Sequence, residues 1–160
     1  MSWHKQTNKE HSVPSSPSKE VLIIEDEEIL AENLQAHFRR SGWNARIAST
    51  GKSAMAAAAE FRPALILLDY HLPDMSGFQA LEALREADHR CGCVLMTGHP
   101  TDVVMAEAER HAIGRILCKP FSMAELRDQL LATAAETCSK CQRPNLHCGW
   151  GNSPQLMGLM

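Results

Sequence analysis

The sequence predicts an α/β fold in which a doubly wound parallel sheet of five strands is covered by helices on both faces. Five short apolar runs of strand length are spaced along the chain, and segments with helical spacing of apolar residues alternate with them. Most of these runs do not alternate with polar residues, which is typical of strands buried on both faces. Repeated strand–helix units of this kind favour right-handed crossovers and therefore one parallel sheet.

Two strand–helix units account for the first part of the chain. Residues 21–24 form a short buried-type strand, and the apolar residues of 28–40 recur at helical spacing before Gly42, a residue type that often ends a helix. Residues 44–49 give a weaker strand. The alanine-rich segment 53–61 is predicted to be a helix that ends just before a proline, because the residue that precedes a proline is biased out of helical geometry.

The third unit begins with an unbroken apolar run. Residues 64–68 are all apolar, and the run stops at Asp69. A turn-rich segment follows, after which the apolar residues of 78–84 mark a third helix. Asp74 and Ser76 are the two candidates for the N-cap of that helix.

The last two units complete the alternation of strands and helices. Residues 92–96 form a fourth apolar run, and a helix follows to about Ala112. Residues 115–118 form a short fifth strand. Ser122 then begins a fifth helix, with Glu125 three residues further on at the capping-box position.

The composition is typical of a globular protein. Apolar residues make up 44% of the chain and charged residues 22%, with a formal net charge of -3. The absence of a long basic run argues against a nucleic-acid surface. No apolar run approaches the roughly 20 residues that a membrane helix needs, and the N-terminus lacks the apolar segment of a signal peptide. We therefore expect a cytoplasmic protein whose six cysteines are mostly reduced.

The chain is expected to have three regions. Residues 1–19 are rich in Ser, Pro, Lys and His, and they contain too little apolar surface to offset the entropy of ordering, so they are predicted to be a disordered arm. Residues 20–136 form the folded domain. Residues 137–160 form a cysteine-containing tail.

The tail contains four residues that suit zinc. Cys138 and Cys141 have the spacing of half a zinc site, and His147 and Cys148 would complete four ligands. Two adjacent ligands are awkward in such a site, so the alternative is a flexible tail with reduced thiols. The other three cysteines are predicted to be small core residues: Cys91, Cys93 and Cys118.

Polar residues follow four of the predicted strands, and they carry the chemistry. Glu25 and Asp26 follow the first strand, Asp69 the third, Thr97 the fourth and Lys119 the fifth. Because parallel strands end at the same edge of a sheet, these side chains are expected to converge. Clustered carboxylates favour a hard divalent cation such as Mg²⁺. Asp69 is then a candidate nucleophile toward a phosphoryl group, with Lys119 as the cation and Thr97 as a hydroxyl donor.

These residues resemble the receiver domains of bacterial two-component response regulators. The shared features are Glu25-Asp26, Asp69 with the turn at 72–77, Thr97, and the motif at 119–121 (Lys-Pro-Phe). The resemblance covers roughly residues 20 to 136. It implies a flavodoxin-like sheet with strand order 2-1-3-4-5 and five helices.

The resemblance also implies roles for individual residues. Asp69 would be the phosphoacceptor, and Thr97 would move toward the phosphoryl group as part of a switch. Mg²⁺ or Mn²⁺ would be bound by Asp26, Asp69 and the backbone carbonyl of His71, with Glu25 reaching the ion through water. The Lys119–Pro120 bond would be cis.

Two positions depart from the family pattern. The first acidic position is usually Asp, and Glu25 adds a methylene that alters metal geometry slightly without preventing binding. Ile116 stands where many receivers have a rotating Tyr or Phe, so we expect a muted or altered rearrangement of the surface formed by the fourth helix and the fifth strand. His71 and His99 flank the site and could modulate the lifetime of the acyl phosphate; the alternative is two exposed loop imidazoles.

The leading hypothesis is a stand-alone receiver in a phosphorelay. A histidine kinase or phosphotransfer protein would phosphorylate Asp69, with Mg²⁺-dependent self-catalysed phosphorylation and dephosphorylation rather than conventional enzyme turnover. Because residues 137–160 are too few and too weakly basic for a DNA-binding domain, the signal is expected to pass to a partner protein, without direct DNA or membrane binding. A homodimer through the fourth helix, fifth strand and fifth helix is also expected.

Three other functional readings stay open. The acidic crevice could serve a phosphohydrolase with an aspartyl-phosphate intermediate, although His71 stands where a second catalytic carboxylate is expected two residues after the nucleophile. A flavin-binding electron carrier would need a phosphate-gripping loop after the first strand, where four acids stand instead. The tail could make the chain a zinc-binding adaptor.

Overall fold

The computed structural model describes residues 19–87 and 91–130 of the chain. The five strands are β1 (Glu20–Ile24), β2 (Asn44–Ala48), β3 (Leu65–Asp69), β4 (Gly92–Thr97) and β5 (Ile116–Cys118). The helices are α1 (Glu28–Arg40), α2 (Gly51–Phe61), α3 (Gly77–Glu86), α4 (Asp102–Arg110) and α5, which includes residues 123–130.

The strands form one parallel sheet in the order β2-β1-β3-β4-β5, which confirms the predicted flavodoxin-like topology. The register of β3 with its neighbours brings the strand ends together. Ile24 pairs with Leu68, and Asp69 pairs with Met96. Thr97 in turn pairs with Cys118. The carboxyl ends of β1, β3, β4 and β5 therefore lie along one edge of the sheet.

The sheet separates two apolar clusters. One cluster packs β-strand residues such as Val21, Leu65 and Leu67 against α1 and α5. The other packs the alternate positions, including Ile66 and Leu68, against α2, α3 and α4. All five residues of β3 are buried, as expected for a central strand covered on both faces. This burial holds the residue at the end of β3 in a fixed position.

Helix α1 matches its predicted bounds, and the features that end the first two helices are those expected. Gly42 has a φ of +80°, the left-handed geometry that glycine adopts without steric cost. Helix α2 stops at Phe61, and Arg62 takes a left-handed conformation before the proline.

Helix α2 begins two residues earlier than predicted. Its N-cap is Thr50, whose side chain accepts a hydrogen bond from the Ser53 N–H, while the Ser53 hydroxyl accepts one from the Thr50 N–H. This reciprocal pair is a capping box, and it stabilises a first turn that starts with Gly51. Glycine's low helix propensity hides this start in the sequence.

Helix α3 has Ser76 as its N-cap, in a second capping box with Gln79. Asp74, the other candidate, does not cap α3; its carboxylate binds the first amides of α2. Helix α5 follows the predicted pattern, because the Ser122 N–H donates to Glu125 Oε2 and the Glu125 N–H donates to Ser122 Oγ.

The cysteine predictions have different outcomes. Cys91 and Cys93 are partly buried and pack against the cluster that faces α2, α3 and α4, and burial raises their pKa values to about 11 and about 12, respectively. Cys118 is exposed, so the prediction that it is a core residue is wrong. Cys118 is the last residue of β5.

The two terminal regions lie largely outside the described residues. This applies to the arm at 1–19, apart from Lys19, and to the tail at 137–160 with the zinc candidates Cys138, Cys141, His147 and Cys148. Within the part of the chain that the structure describes, no helix has the length and apolar character required to cross a membrane.

Candidate functional site

The carboxyl edge of the sheet brings together the polar residues that the sequence singles out. Glu25 directly follows β1, Asp69 and Thr97 end β3 and β4, and Lys119 directly follows β5. Glu25 is 1% exposed, Asp69 6% and Thr97 0%, whereas the residues around them in the strands are apolar. Buried polar groups at the end of a parallel sheet are expected to have a functional reason, because their desolvation is costly.

Three carboxylates form a compact cluster at this edge. One carboxylate oxygen from each of Glu25, Asp26 and Asp69 lies within 4.8 Å of the others. Glu25 and Asp69 are buried, and Asp26 is exposed at the mouth of the cluster. Oxygen donors of this type and number suit Mg²⁺, which takes one or two carboxylates and keeps several waters. The donor set therefore fits a hard divalent cation.

Lys119 provides the positive charge within the cluster. Its Nζ lies 2.6 Å from Oε2 of Glu25 and 3.3 Å from Oδ2 of Asp69. Burial by itself lowers the pKa of Lys119, but the hydrogen bond to Glu25 and the charges of both carboxylates outweigh burial, and the net shift of this pKa is upward. The ammonium group therefore stays charged between the two buried acids.

Glu25 is harder to ionise than an ordinary glutamate. Burial raises its pKa to about 7 against the opposing hydrogen bond from Lys119, and the negative charge of Asp69 adds to the rise. The Glu27 N–H also donates to Oε1 of Glu25, at 3.2 Å. The single ammonium of Lys119 cannot fully neutralise the buried carboxylates of both Glu25 and Asp69.

Thr97 is held by backbone contacts on both sides. Its hydroxyl oxygen accepts from the His99 N–H at 3.1 Å, and its carbonyl accepts from the Lys119 N–H at 2.7 Å. The second bond links the ends of β4 and β5, so Thr97 and Lys119 occupy adjacent positions along the edge. The Lys119–Pro120 peptide is cis, as the family resemblance implies.

The loop after Asp69 turns sharply back into α3. The Gly77 N–H donates to the Tyr70 carbonyl at 2.8 Å, and a Cβ added to Gly77 would lie 2.4 Å from the backbone oxygen of Asp69. Only glycine fits this close approach. The sequence places Gly77 in a turn but does not reveal its contact with Asp69. A close contact with a backbone atom of Asp69 restricts the residue type at position 77 only, so no second residue in the sequence signals it.

A cavity of about 320 Å³ opens beside the cluster. It is lined by Glu27, Leu30, Lys119, Pro120 and Phe121. Lys119 is the member of the site that lines this cavity, and none of the three carboxylates of the cluster does.

Three further residues that the sequence singled out lie at the periphery. His71 and His99 are exposed, and the His71 N–H donates to Oδ1 of Asp69 at 3.4 Å. Ile116 pairs with Leu95 and packs, partly buried, against the cluster that faces α2, α3 and α4. The structure therefore brings Glu25, Asp26, Asp69, Thr97 and Lys119 together. Ile116 lies outside this group, three residues before Lys119.

The arrangement combines an acidic pocket, a buried ammonium and a carboxylate at the end of a rigid strand. Such a pocket can bind a divalent cation, and the ammonium can bind the oxygens of an incoming phosphoryl group. A carboxylate held beside both is oriented for nucleophilic attack on phosphorus.

Comparisons with known proteins identify the family. Residues 21–131 match the model of the response regulator receiver domain. The chain is 36% identical over 120 residues to the transcriptional activator protein PfeR of Pseudomonas aeruginosa, in an alignment that covers 75% of this chain and 39% of PfeR. It is 37% identical over 119 residues to the probable transcriptional regulatory protein TcrX of Mycobacterium tuberculosis, covering 73% of this chain and 50% of TcrX. The chain thus spans half or less of the length of these relatives.

The chain is also similar to a solved receiver domain that contains a bound metal ion. The receiver domain of the sensor histidine kinase PA1611 from Pseudomonas aeruginosa, which has a magnesium ion coordinated in its active site cleft, is 26% identical. The match covers 69% of this chain and 93% of that domain, with a TM-score of 0.61. The chain belongs to the response regulator receiver domain family.

Proposed function

We propose that this receiver accepts a phosphoryl group on Asp69 from a histidine kinase or phosphotransfer protein. The observation that carries the proposal is the position of Lys119, whose Nζ lies within 3.3 Å of Asp69 Oδ2 at the edge of the three-carboxylate cluster. A carboxylate oxygen of Asp69 would form a bond to phosphorus as the bond between phosphorus and the donor's histidine nitrogen breaks. The electron pair of that bond stays on the nitrogen, and the imidazole is released.

We further propose Mg²⁺ or Mn²⁺ as the cation of this site. Its ligands would be Asp26, Asp69 and the backbone carbonyl of His71, with Glu25 contributing through water. Receiver domains bind Mg²⁺ at an acidic pocket, and the relative with magnesium in its cleft supports the same placement here. When bound, the cation supplies charge neutralisation for the phosphoryl oxygens.

Lys119 and Thr97 would stabilise the transferring group from the other side. The ammonium of Lys119 is charged and partly exposed, so it can move from Glu25 and Asp69 toward a phosphoryl oxygen. Thr97 lies next to it along the sheet edge, and its hydroxyl would donate to a second phosphoryl oxygen. A rotation of Thr97 toward the phosphoryl group would then act as the first step of the switch.

Removal of the phosphoryl group would need water to reach Asp69. His71 and His99 are exposed at the mouth of the site, where they would influence how fast water attacks the acyl phosphate. We therefore propose that both histidines influence the lifetime of phosphorylated Asp69.

The signal would leave through contact with a partner protein. Receiver domains interact with histidine kinases and phosphotransfer proteins, and the relatives PfeR and TcrX are described as transcriptional proteins. For this chain we propose a partner or a second copy on the face formed by α4, β5 and α5. Val103 and Met105 of α4 are 68% and 42% exposed on the described surface. Action as a stand-alone receiver stays a prediction, tested by whether the 160-residue chain alone restores signalling in a deletion strain.

One experiment tests the phosphoacceptor role directly. The full chain is incubated with a small phosphodonor and Mg²⁺, and its intact mass is measured. We expect the wild type to gain the mass of one phosphoryl group and Asp69→Asn to gain none. Asp128→Asn, which removes a carboxylate that is 72% exposed on α5, is the matched control and should behave as the wild type. No gain in the wild type, or an equal gain in Asp69→Asn, would end the proposal, and continuous release of phosphate from small esters would instead support a phosphohydrolase.

A further inference from the structure

The loop between β3 and α3, residues 70–76, is anchored at its base. The Gly77 N–H donates to the Tyr70 carbonyl at 2.8 Å, and His71 forms an antiparallel bridge with Ser76. These contacts close the loop next to Asp69. These contacts do not include Asp74 and Met75, which form the tip of the loop.

The tip of this loop is anchored on a different element. Asp74 Oδ1 accepts from the Gly51 N–H at 2.8 Å, and Asp74 Oδ2 accepts from the Lys52 N–H at 2.9 Å. Both amides belong to the first turn of α2, more than 20 residues earlier in the chain. These two hydrogen bonds are strong enough to lower the pKa of Asp74 although its side chain is exposed.

A second contact reinforces this attachment. Met75 lies directly over Gly51, so that a Cβ added to Gly51 would be 2.3 Å from Sδ and 2.6 Å from Cγ of Met75. Because Gly51 has no side chain, there is room for the Met75 side chain over this turn of α2. Asp74 and Met75 therefore attach the loop tip to one turn of helix by a polar and an apolar contact.

The attachment is more than the cap of α2, because that helix has a cap of its own. Thr50 Oγ1 accepts from the Ser53 N–H at 3.0 Å, and Ser53 completes the capping box. Asp74 takes the two amides that this box leaves, at Gly51 and Lys52. The two hydrogen bonds therefore act on both elements, because they complete the N-terminus of α2 and also hold the tip of the loop.

We propose that Asp74 is a positioning residue for the acidic site: it holds the loop after Asp69 so that the backbone of His71 stays in place to bind the divalent cation. This inference rests on the proposed function. His71 belongs to the anchored base through its bridge with Ser76, it lies three residues before Asp74 at the anchored tip, and its N–H contacts Oδ1 of Asp69. A short loop that is already fixed at both ends loses little conformational entropy when the cation binds. The free energy cost of binding is therefore smaller.

The test measures Mg²⁺ binding of the full chain by calorimetry. Groups that orient the ligands of a metal typically contribute about 10- to 100-fold to affinity, and we expect Asp74→Ala to weaken Mg²⁺ binding by about tenfold. Asp74→Asn keeps one acceptor oxygen and should lose less. Thr50→Ala is the matched control, since it removes a cap from the same helix without touching the loop, and its Mg²⁺ affinity should stay within about twofold of the wild type.

A second variant and a second readout keep the test independent of folding. Gly51→Ala puts a Cβ against the flexible side chain of Met75 and keeps the amide that binds Asp74, so Mg²⁺ binding should weaken in the same direction but less than in Asp74→Ala. Amide NMR of the metal-free protein should show the His71 signal broadened in Asp74→Ala and sharp in Thr50→Ala.

The outcomes separate the two proposals. If the wild type binds Mg²⁺ and gains a phosphoryl group while Asp74→Ala binds Mg²⁺ as tightly, the positioning role is overturned and the proposed function stands. Equal losses in Asp74→Ala and Thr50→Ala would also overturn it, because they would show that only the stability of α2 matters. A wild type that binds no Mg²⁺ would overturn both.

Discussion

Glu25 Oε2 lies 2.6 Å from Nζ of Lys119, although the two residues are 94 positions apart in the sequence. Glu25, at a position where aspartate is more usual, thus reaches across the site to the ammonium. Asp69 contacts the same ammonium at 3.3 Å. Two buried acids share one cation, and several properties of the site follow from this imbalance.

The first prediction concerns the pH dependence of stability without metal. The pKa of Glu25 is about 7 in the folded protein and 4.5 in a solvent-exposed chain. Between these values the unfolded chain has lost the proton and the folded protein keeps it, so the free energy of unfolding falls as pH rises. The contribution of Glu25 is fully present below pH 4.5 and is lost above about pH 7. Its size is on the order of 3 kcal/mol.

Urea denaturation in EDTA at pH 5, 6, 7 and 8 measures this contribution. The wild type is compared with Glu25→Gln, whose side chain has nearly the same shape but cannot ionise. The contributions of other titrating groups then cancel in the difference between the two free energies of unfolding. We expect the wild type to lose stability relative to Glu25→Gln as pH rises through this range. A difference that stays constant with pH would show that Glu25 ionises like an exposed residue.

The second prediction concerns Lys119. Replacing it with Met leaves Glu25 and Asp69 without a counter-charge, and the free energy of unfolding of the metal-free protein should fall on the order of 2 kcal/mol. Mg²⁺ should bind roughly tenfold more tightly, because the ion no longer competes with an ammonium for the carboxylates. Phosphorylation by a small donor should nevertheless slow. Calorimetry and intact mass provide the measurements.

Lys52→Met is the control for this change, since it removes the same charge from an exposed position on α2. It should leave Mg²⁺ affinity nearly unchanged. Weaker Mg²⁺ binding in Lys119→Met would contradict the competition that we describe.

The third prediction concerns the turn after Asp69. In Gly77→Ala the new Cβ would lie 2.4 Å from the Asp69 backbone oxygen and 3.1 Å from Cα of Tyr70. Backbone atoms cannot move aside as a flexible side chain does, so we expect a loss of about 2–3 kcal/mol in the free energy of unfolding. Gly114→Ala, where a Cβ meets nothing within 4 Å, should change it by less than about 0.5 kcal/mol. Equal effects in chemical denaturation would contradict this account.

The fourth prediction concerns the switch. Ile116 is partly buried against the core and has no aromatic ring to rotate. Addition of a phosphoryl mimic with Mg²⁺ should therefore change amide exchange only slightly across residues 100–121. Ile116→Tyr should enlarge that change. A large response in the wild type would show that the switch does not depend on an aromatic side chain at this position.

The convergence of the site residues could be predicted from sequence because it follows from topology. Asp69, Thr97 and Lys119 each end or follow an apolar run, and parallel strands bring such positions to one edge. The family resemblance supplied the strand order, which apolar periodicity does not contain. The fold was accordingly predictable to within one or two residues at most element ends.

Contacts between distant side chains were not predictable in the same way. Asp74 has the local signature of an N-cap for the helix that follows it, yet it binds the amides of α2, and only Ser76 caps α3. Capping rules consider neighbours in sequence, so they cannot detect a carboxylate that reaches a different helix. The pairing of Glu25 with Lys119 was missed for a similar reason, because the reach of a side chain depends on packing.

The position of the sheet between two separate apolar clusters has a practical consequence for engineering. Adjacent residues of β3, such as Leu67 and Leu68, belong to different clusters on opposite faces. Substitutions on one face should combine additively with those on the other, since they share few neighbours. The buried side chains facing α2, α3 and α4 could therefore be exchanged as a set with those of another receiver, while those facing α1 and α5 stay as they are.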